Sequence, residues 1–379
     1  MFEPKHLDSI RAAIARQTAA DAALLASLRE DVRERLGPVR VIRPQAVSAV
    51  SLVASDGGSN RLGFDPFALE LVRVMDSNGD QLLLDAISPS TDPDELLARH
   101  RARGDALAVL LEDLRIEHLH ELSPVFPSSR TLREQPDRVR PNWPKAYRDV
   151  AEWAMLYERV SRRQWGSDTL LVRDGLLRSA IFRADVLVRL GELLQSAIER
   201  QREHGVRLFL AGVAKRSQVL TRYRLAMALE QTLPAGAPRY VAVPRELERK
   251  TYRWAQYAQG AEETDAAGSL GLALGAMYLV RFGSSAHDPV WPVDVLSSQV
   301  EEAQTIFGYL QADALVGFPV PWYPRCLQRA HEHAQLVDFD VELLQAAVLA
   351  GTRALVEEER RVLIESLALA SDVASRRYS

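Results

Sequence analysis

The order of the apolar runs changes character part-way along the chain, and this change constrains the fold more than any other feature. Strand-length runs at Val47–Ala54, Ala68–Met75 and Gln81–Ile87 follow one another with no helix between them, the last two separated by Asp76-Ser77-Asn78-Gly79-Asp80. Asn-Gly tolerates the positive φ of a tight hairpin, so these runs predict an antiparallel meander. From about Lys145 the pattern alternates: a helix to Gln164, an apolar strand at Asp168–Asp174, a helix at Ile181–Glu203, a strand at Val206–Val213, a helix at Ser217–Leu233 and a strand at Tyr240–Pro244. That alternation calls for parallel strands covered by helices. Two further strands, Ala276–Phe282 and Val290–Leu296, precede helical segments at 298–314, 324–336 and 340–375. The expected fold class is therefore α/β: a mixed sheet, antiparallel meander first and parallel strands after it, covered by helices and carrying helical extensions at both ends.

At the N-terminal end, Leu7, Ile10, Ala13, Ile14, Ala20, Leu24, Leu25, Leu28, Val32 and Leu36 recur near a helical period, and Gly37-Pro38 follows as a stop. This predicts an amphipathic helix over 5–36, broken at most once, whose stripe packs on the core, a partner-docking arm being the other use of such a surface. Asp94–Leu122 reads mainly as helix, and the proline-punctuated stretch Ser123–Pro144 as a loop.

Composition narrows the function classes. With 379 residues, 47% hydrophobic and 26% charged, the chain has the balance of an ordinary globular protein. A formal net charge of −4 argues against nucleic-acid binding through overall charge, so any DNA contact must be local. The single cysteine, Cys326, excludes an internal disulfide framework and a cysteine-built zinc cage within one subunit. The N-terminal segment MFEPKHLDSIRAAIARQ has no apolar leader core, and no run reaches the ~18 apolar residues a membrane span needs, which leads to the expectation of a cytoplasmic protein with no membrane partner.

Candidate chemistry concentrates at strand ends. In Ser51-Leu-Val-Ala-Ser-Asp56-Gly57-Gly58 an aspartate is expected to close a strand just where two glycines let the backbone turn and a ligand approach. Asp-Gly-Gly is also a common plain turn. A second strand, Leu170-Leu-Val-Arg-Asp174-Gly175, ends the same way. Were the two strands neighbours, their carboxylates would repel unless a cation lay between them, and phosphodiester hydrolysis uses hard oxygen ligands of that kind to hold Mg²⁺ or Mn²⁺.

A third carboxylate is usually wanted, and the intervening helix offers Glu152 and Glu158. At ~1.5 Å per residue the helix covers about 18 Å from Glu152 to Gln164 but only about 9 Å from Glu158, against a strand of roughly 20 Å, so Glu152 reaches the aspartates' level more easily. Glu158 stays open if the helix tilts, and either glutamate by itself fits a solvated helix face. Lys215 follows the strand LFLAGVA, where an ammonium could meet a phosphate. The spacing of a nucleotide P-loop is missing, and a surface lysine at a strand end is the plain alternative. Near the C-terminal end, Leu327, Ala330 and His331 share one helix face, so His331 looks inward, whereas His333 falls on another face and is expected to be exposed. A lone inward histidine is more often structural than a ligand, and no H-E-x-x-H pattern supports a zinc protease.

The strings ASDGGSN, VRDGLL, LAGVAKRS and YPRCLQRAH, in this order and over about residues 45–345, resemble the successive motifs of the NurA nucleases. The resemblance implies an RNase H-like fold and manganese-dependent cleavage of DNA, as a 5′–3′ exonuclease and single-strand endonuclease. It also implies a homodimer working with a HerA-like hexameric ATPase in DNA-end resection or in anti-phage defence. Carried over residue by residue, Asp56 and Asp174 match the metal-binding aspartates, the helix glutamate falls on Glu152 or Glu158, Lys215 on the later lysine, and Tyr323 and His331 on the C-terminal tyrosine and histidine. Imidazole beside carboxylates suits Mn²⁺ better than Mg²⁺, which is the alternative. Arg216 and Arg222 are candidates to line a DNA path. The implied organisation is an N-terminal helical arm over 1–40, a nuclease domain over 41–345 with a helical insertion around 92–144, and a C-terminal helix over 346–379. The segment between Asp56 and Asp174 is long for the family, and Phe318 stands where a tyrosine is often found. The rival reading is a non-catalytic adaptor that docks on a ring ATPase and gates DNA entry; a ribonuclease is a second.

Overall fold

The computed structural model describes residues 4–46, 50–64, 67–179, 181–252, 273–335, 338–358 and 361. The chain divides into two compact units, one formed by Met1–Leu52, Trp165–Ala180 and Arg200–Gln328, the other by Val53–Gln164, Ile181–Glu199 and Arg329–Ser379. Among the described residues the fold is mixed α/β, with parallel and antiparallel strand pairs.

Among the described residues the first unit holds six strands: β1 (Arg40–Val41), β5 (Thr169–Asp174), β6 (Leu208–Val213), β7 (Arg239–Ala242), β8 (Gly275–Arg281) and β9 (Trp291–Leu296). They lie in the order β1-β7-β8-β9-β6-β5. Only β5 and β6 run parallel, joined through helix α8 (Ala184–Glu203), which supplies the crossover a parallel pair requires. β7, expected to continue the parallel set, instead pairs antiparallel with β8 and with β1. The reason lies in β1 and in helix α10 (Arg245–Tyr252), two elements too short to leave a periodic signature: β1 takes one edge of β7, and α10 carries the chain away from it.

Alternation along β7 and β8 builds two cores in this unit. Val241, Met277 and Leu279 pack with Val219, Tyr223, Ala226 and Met227 of helix α9 (Gln218–Leu229), with Leu247, and with Val32 of helix α2 (Ala22–Arg35). Tyr240 and Tyr278, one residue out of phase, meet Phe307 of helix α11 (Ala303–Ala314) at ring distances of 4.7 and 5.1 Å. Side chains one residue apart on a strand face opposite sides, so each stretch serves both layers.

The second unit is built on the meander β2 (Ser51–Phe64), β3 (Phe67–Asp76) and β4 (Gln81–Ile87), antiparallel throughout as expected. Its hairpin is locked by Asp76, whose Oδ1 accepts from the amides of Asn78 and Asp80 at 2.9 and 3.0 Å, while its Oδ2 accepts from Arg159 at 2.9 Å. Helix α7 (Trp143–Ser161) packs on β3 and β4 and against helix α4 (Ala106–Asp113). It is buried over most of its surface, with Trp143, Tyr147, Val150, Trp153, Leu156 and Val160 all enclosed and the charged Glu152 and Arg159 buried beside them. Helices α3 (Pro93–Arg103) and α5 (Leu119–Leu122) complete the predicted helical stretch, and helix α6 (Ser129–Glu134), capped by Ser128, interrupts the predicted loop.

Three expectations are corrected here. The strand predicted over Val47–Ala54 starts at Ser51, residues 47–49 lying outside the described ones, and it continues to Phe64, so Asp56 sits within a strand and not at its end. The N-terminal helix breaks once, at Asp21, into α1 (Pro4–Ala20) and α2, as the expectation allowed, but its stripe does not all pack on the core: the described side chains of α1 are mostly exposed, Ile14 by 60%, and α2 is the part that reaches the core. The predicted helix over 340–375 is observed as α13 (Asp338–Ala354), its part beyond residue 361 lying outside the described residues. No helix among the described residues is long and apolar enough to cross a membrane.

Candidate functional site

In the first unit, β5 ends at Asp174 as predicted, and Gly175 turns the chain with φ +120°, a conformation that side-chain-bearing residues rarely adopt. Space enforces the same choice, because a Cβ at Gly175 would lie 2.6 Å from the guanidinium of Arg173. That buried guanidinium donates to the carbonyl of Leu176 at 3.0 Å and ties the turn back on the strand. Asp174 is thereby held at the tip of β5, beside the tip of its parallel neighbour β6.

Two groups distant in sequence converge on the Asp174 carboxylate. Lys215, two residues beyond β6, places Nζ 3.0 Å from Oδ2, and the Tyr323 hydroxyl donates to Oδ1 at 3.0 Å. Tyr323 is fully buried, its ring packed against Trp291 at 4.8 Å between centroids with the Lys215 ammonium 5.6 Å from its centroid on the cation–π scale. Its backbone is held too: the Gln328 amide donates to the Tyr323 carbonyl at 2.9 Å and to the Val320 carbonyl at 3.0 Å, and accepts from the Val320 amide at 2.8 Å. The result is a carboxylate with one cationic partner and one neutral donor, both oriented. Arg216 is exposed and Arg222 half-buried on the adjoining α9 segment, the latter 5.9 Å from the Tyr223 ring.

In the second unit, Asp56 faces Met75 across the β2–β3 ladder and receives His331 of helix α12 (Arg325–Ala334), with Nδ1 2.7 Å from Oδ2. The other ring nitrogen, Nε2, lies 2.8 Å from the Gln335 amide nitrogen. A carboxylate at one nitrogen and an amide donor at the other select the neutral tautomer protonated on Nδ1. Glu152 is buried on α7 and its carboxylate lies against Gly57, next in sequence to Asp56, with Arg148 one turn earlier at 3.4 Å.

The glycines after Asp56 are therefore explained by close approach and not by a turn. A Cβ on Gly57 would fall on the Glu152 carboxylate, 2.8 Å from its Cγ, and one on Gly58 would run into the carbonyl oxygen of Ala334 in the last turn of α12. α7 is pinned on both sides of Glu152: Trp143 Nε1 donates to the Pro89 carbonyl at 3.0 Å and the Tyr147 hydroxyl to Asp85 at 2.7 Å, while Arg159 holds Asp76. Glu158 lies six residues on, about 9 Å along the axis, half-buried, where burial raises its carboxyl above the ordinary range against the pull of Arg163 and Arg162.

The structure is similar to solved NurA structures. The crystal structure of the NurA nuclease from Sulfolobus solfataricus matches 94% of this chain and 99% of its own, at 14% identity and a TM-score of 0.44. A second NurA crystal structure matches 93% and 99%, at 15% identity and a TM-score of 0.39. A NurA structure bound to dAMP and manganese matches 86% and 94%, at 11% identity and a TM-score of 0.39. No family model matches the sequence, and no curated protein matches it.

Of the residues singled out by the NurA motifs, Asp174, Lys215 and Tyr323 are brought together in the first unit, and Asp56, Glu152 and His331 serve the second, where Glu158 stands apart from Glu152. His333 is half-buried against Gly79 and not exposed. Three supporting residues escape sequence reasoning. Gln335 stands four residues after His331, a spacing that could have revealed it. Gln328 and Trp291 act on Tyr323 through tertiary contact and leave no local signal.

Proposed function

We propose that the chain is a metal-dependent DNA nuclease of the NurA kind with an RNase H-like core. The observation that carries this reading is the convergence on Asp174 of Lys215 and Tyr323, residues 41 and 149 positions away, because an acid at a strand tip with one cation and one hydroxyl is equipped to handle a phosphodiester and its attacking water. Asp56, Asp174, Glu152 and His331 are the proposed metal ligands. Three carboxylates and one imidazole form a hard-oxygen set with a borderline nitrogen, which fits Mn²⁺ and accommodates Mg²⁺. The bound cation would lower the pKa of a water and neutralise charge on the phosphate.

The protein's own groups have distinct tasks. The Lys215 ammonium balances Asp174, and the same group would hold a phosphate oxygen of the substrate. Tyr323 fixes the carboxylate plane, its own freedom removed by Trp291 and Gln328. His331 would offer a ring nitrogen to the cation beside Asp56, with the Gln335 amide against the other side of its ring. Arg216 and Arg222 are proposed to line the DNA path.

Cytoplasmic location, the homodimer, a HerA-like hexameric ATPase partner, and a role in end resection or anti-phage defence complete the proposal, the location from composition and the rest from the motif resemblance. So does the division into an arm over 1–40, a nuclease domain over 41–345 and a terminal helix over 346–379. The deciding experiment is cleavage of end-labelled DNA, with RNA of the same sequence alongside, in Mn²⁺, Mg²⁺ or chelator, with calorimetric Mn²⁺ titration in parallel. Asp56→Asn and Asp174→Asn should each lower cleavage to background and abolish Mn²⁺ uptake while the circular dichroism stays unchanged. Cleavage surviving in both variants would refute the assignment, and a wild-type chain that neither cleaves nor takes up metal would leave the adaptor reading.

A further inference from the structure

The second unit contains a partly buried charged cluster that, among the described residues, touches the site described above only through the Tyr147–Asp85 bond on α7. His100 of α3 is fully enclosed. Its Nδ1 lies 2.7 Å from Oδ2 of Asp105, the residue that caps α4, and its Nε2 lies 2.7 Å from the hydroxyl oxygen of Tyr147 on α7 and 3.2 Å from Oδ2 of Asp85 on β4. The Tyr147 hydroxyl is itself 2.7 Å from that same Asp85 oxygen. Arg103, also on α3, completes the group: Nη2 is 3.4 Å from Asp85 Oδ1 and 3.1 Å from His100 Nδ1, and Nε is 3.3 Å from Asp105 Oδ2.

Counting protons settles the state of the ring. Tyr147 has a single hydroxyl proton, and the 2.7 Å approach to a carboxylate oxygen claims it, so the tyrosine oxygen can only accept from Nε2. At the other nitrogen the Asp105 oxygen, at 2.7 Å, is nearer than Arg103 Nη2 at 3.1 Å and too close for two bare acceptors, so the carboxylate claims a hydrogen on Nδ1, and Arg103, which can only donate, directs its own hydrogens to Asp105 and Asp85. Both nitrogens donate, which makes the ring an imidazolium. The charges then cancel: His100 and Arg103 against Asp85 and Asp105. A buried cluster of this kind is tolerable when it is neutral and fully bonded, and costly once one member is lost.

We propose that His100 is a proton-operated clamp: one proton on its ring holds α3 and the cap of α4 to β4 and α7, and losing that proton loosens α7. The shifts agree in direction. Burial by itself would drive the proton off His100, but hydrogen bonds to Asp105 and Asp85, and their charges, outweigh it and hold the ring above the ordinary histidine range. Burial likewise pushes the Asp85 carboxyl up, and the bonds from His100 and Tyr147 outweigh it, leaving it below the ordinary aspartate range. The sign follows for each group. A raised histidine contributes stability that is complete below the ordinary imidazole range and is lost as pH rises through its folded pKa, while a lowered aspartate contributes stability lost as pH falls through its own. The clamp is therefore closed across the mildly acidic to neutral interval and opens toward alkali. Because α7 also carries Glu152, opening would release that carboxylate from Gly57; this consequence rests on the nuclease reading, whereas the clamp does not.

The test needs no substrate. Histidine ring ¹H–¹³C correlations of the full chain are followed from pH 5 to 9, with His100 assigned by its disappearance in His100→Asn or, should that variant not fold, by elimination with single substitutions of the other seven histidines. The His100 signal should keep imidazolium shifts past the pH at which a free histidine peptide measured in the same buffer titrates. Amide protection factors over 96–100 and 146–152 should fall at the pH where His100 finally titrates, and in Asp85→Asn both events should move together to lower pH. A His100 that titrates with the free peptide, or α7 protection that stays constant while His100 titrates, would overturn the clamp.

Discussion

Gly57 and Gly58 show how much a single side-chain hydrogen can decide. The pair reads in sequence as a turn, yet both lie inside β2, and what they permit is the approach of Glu152 on one side and of the α12 backbone on the other. The two sites should respond differently to one added methyl. Gly57→Ala meets a carboxylate that can rotate away, so it should cost about 1 kcal/mol or less while displacing Glu152, whereas Gly58→Ala meets the backbone carbonyl of Ala334 and should cost roughly 1–3 kcal/mol. Urea denaturation of both variants checks the order, and the reverse ranking would contradict the packing described. The same Asp-Gly signal lies inside a strand at Asp56, whereas Asp174 was legible at this scale because Gly175 takes the positive φ that ends the strand. Its neighbours were not, since nothing near Lys215 or Tyr323 in sequence reports which carboxylate each will meet.

At the scale of elements, the signals that survive are those written locally. The hairpin over 76–80 appears as expected because Asp76 supplies its own turn hydrogen bonds, and α7, β4 and β5 lie within three residues of their predicted limits. Helix α9 starts where Ser217 accepts from the Leu220 amide at 3.0 Å, a cap of the ordinary kind. Ser217→Ala should lower stability by about 1 kcal/mol through the lost cap, measured as a shift of the denaturation midpoint at unchanged slope; a change below a few tenths would mean that burial in the first unit holds α9 without it. The short elements β1 and α10 were missed, and with them the direction of β7. Two or eight residues carry too little periodicity, and strand direction depends on the partner that docks alongside.

For the molecule as a whole, each unit has its own apolar interior, and the N-terminal helices contribute unequally to the first. Val32 of α2 lies in the core with Leu28 and Leu36 packed against it, while the described side chains of α1 stay largely in solvent. Removing the residues before Asp21 should therefore leave stability within about 0.5 kcal/mol of the intact chain, and a thermal melt of the shortened protein would expose any larger role for α1. The amphipathic period of that segment established that a helix forms there but not what it covers. More generally, residue order alone determined the helices and strands of sufficient length, the meander, the hairpin and the strand-end aspartate 174, because each follows from backbone propensity and side-chain alternation within a few neighbours. Only the tertiary structure decided that β2 runs on past Asp56, that β7 runs antiparallel, which glutamate of α7 lies beside Gly57, and that His100 meets Asp85, Asp105 and Tyr147. Those outcomes depend on contacts between residues tens to hundreds of positions apart, where packing and charge balance, and not local preference, set the result.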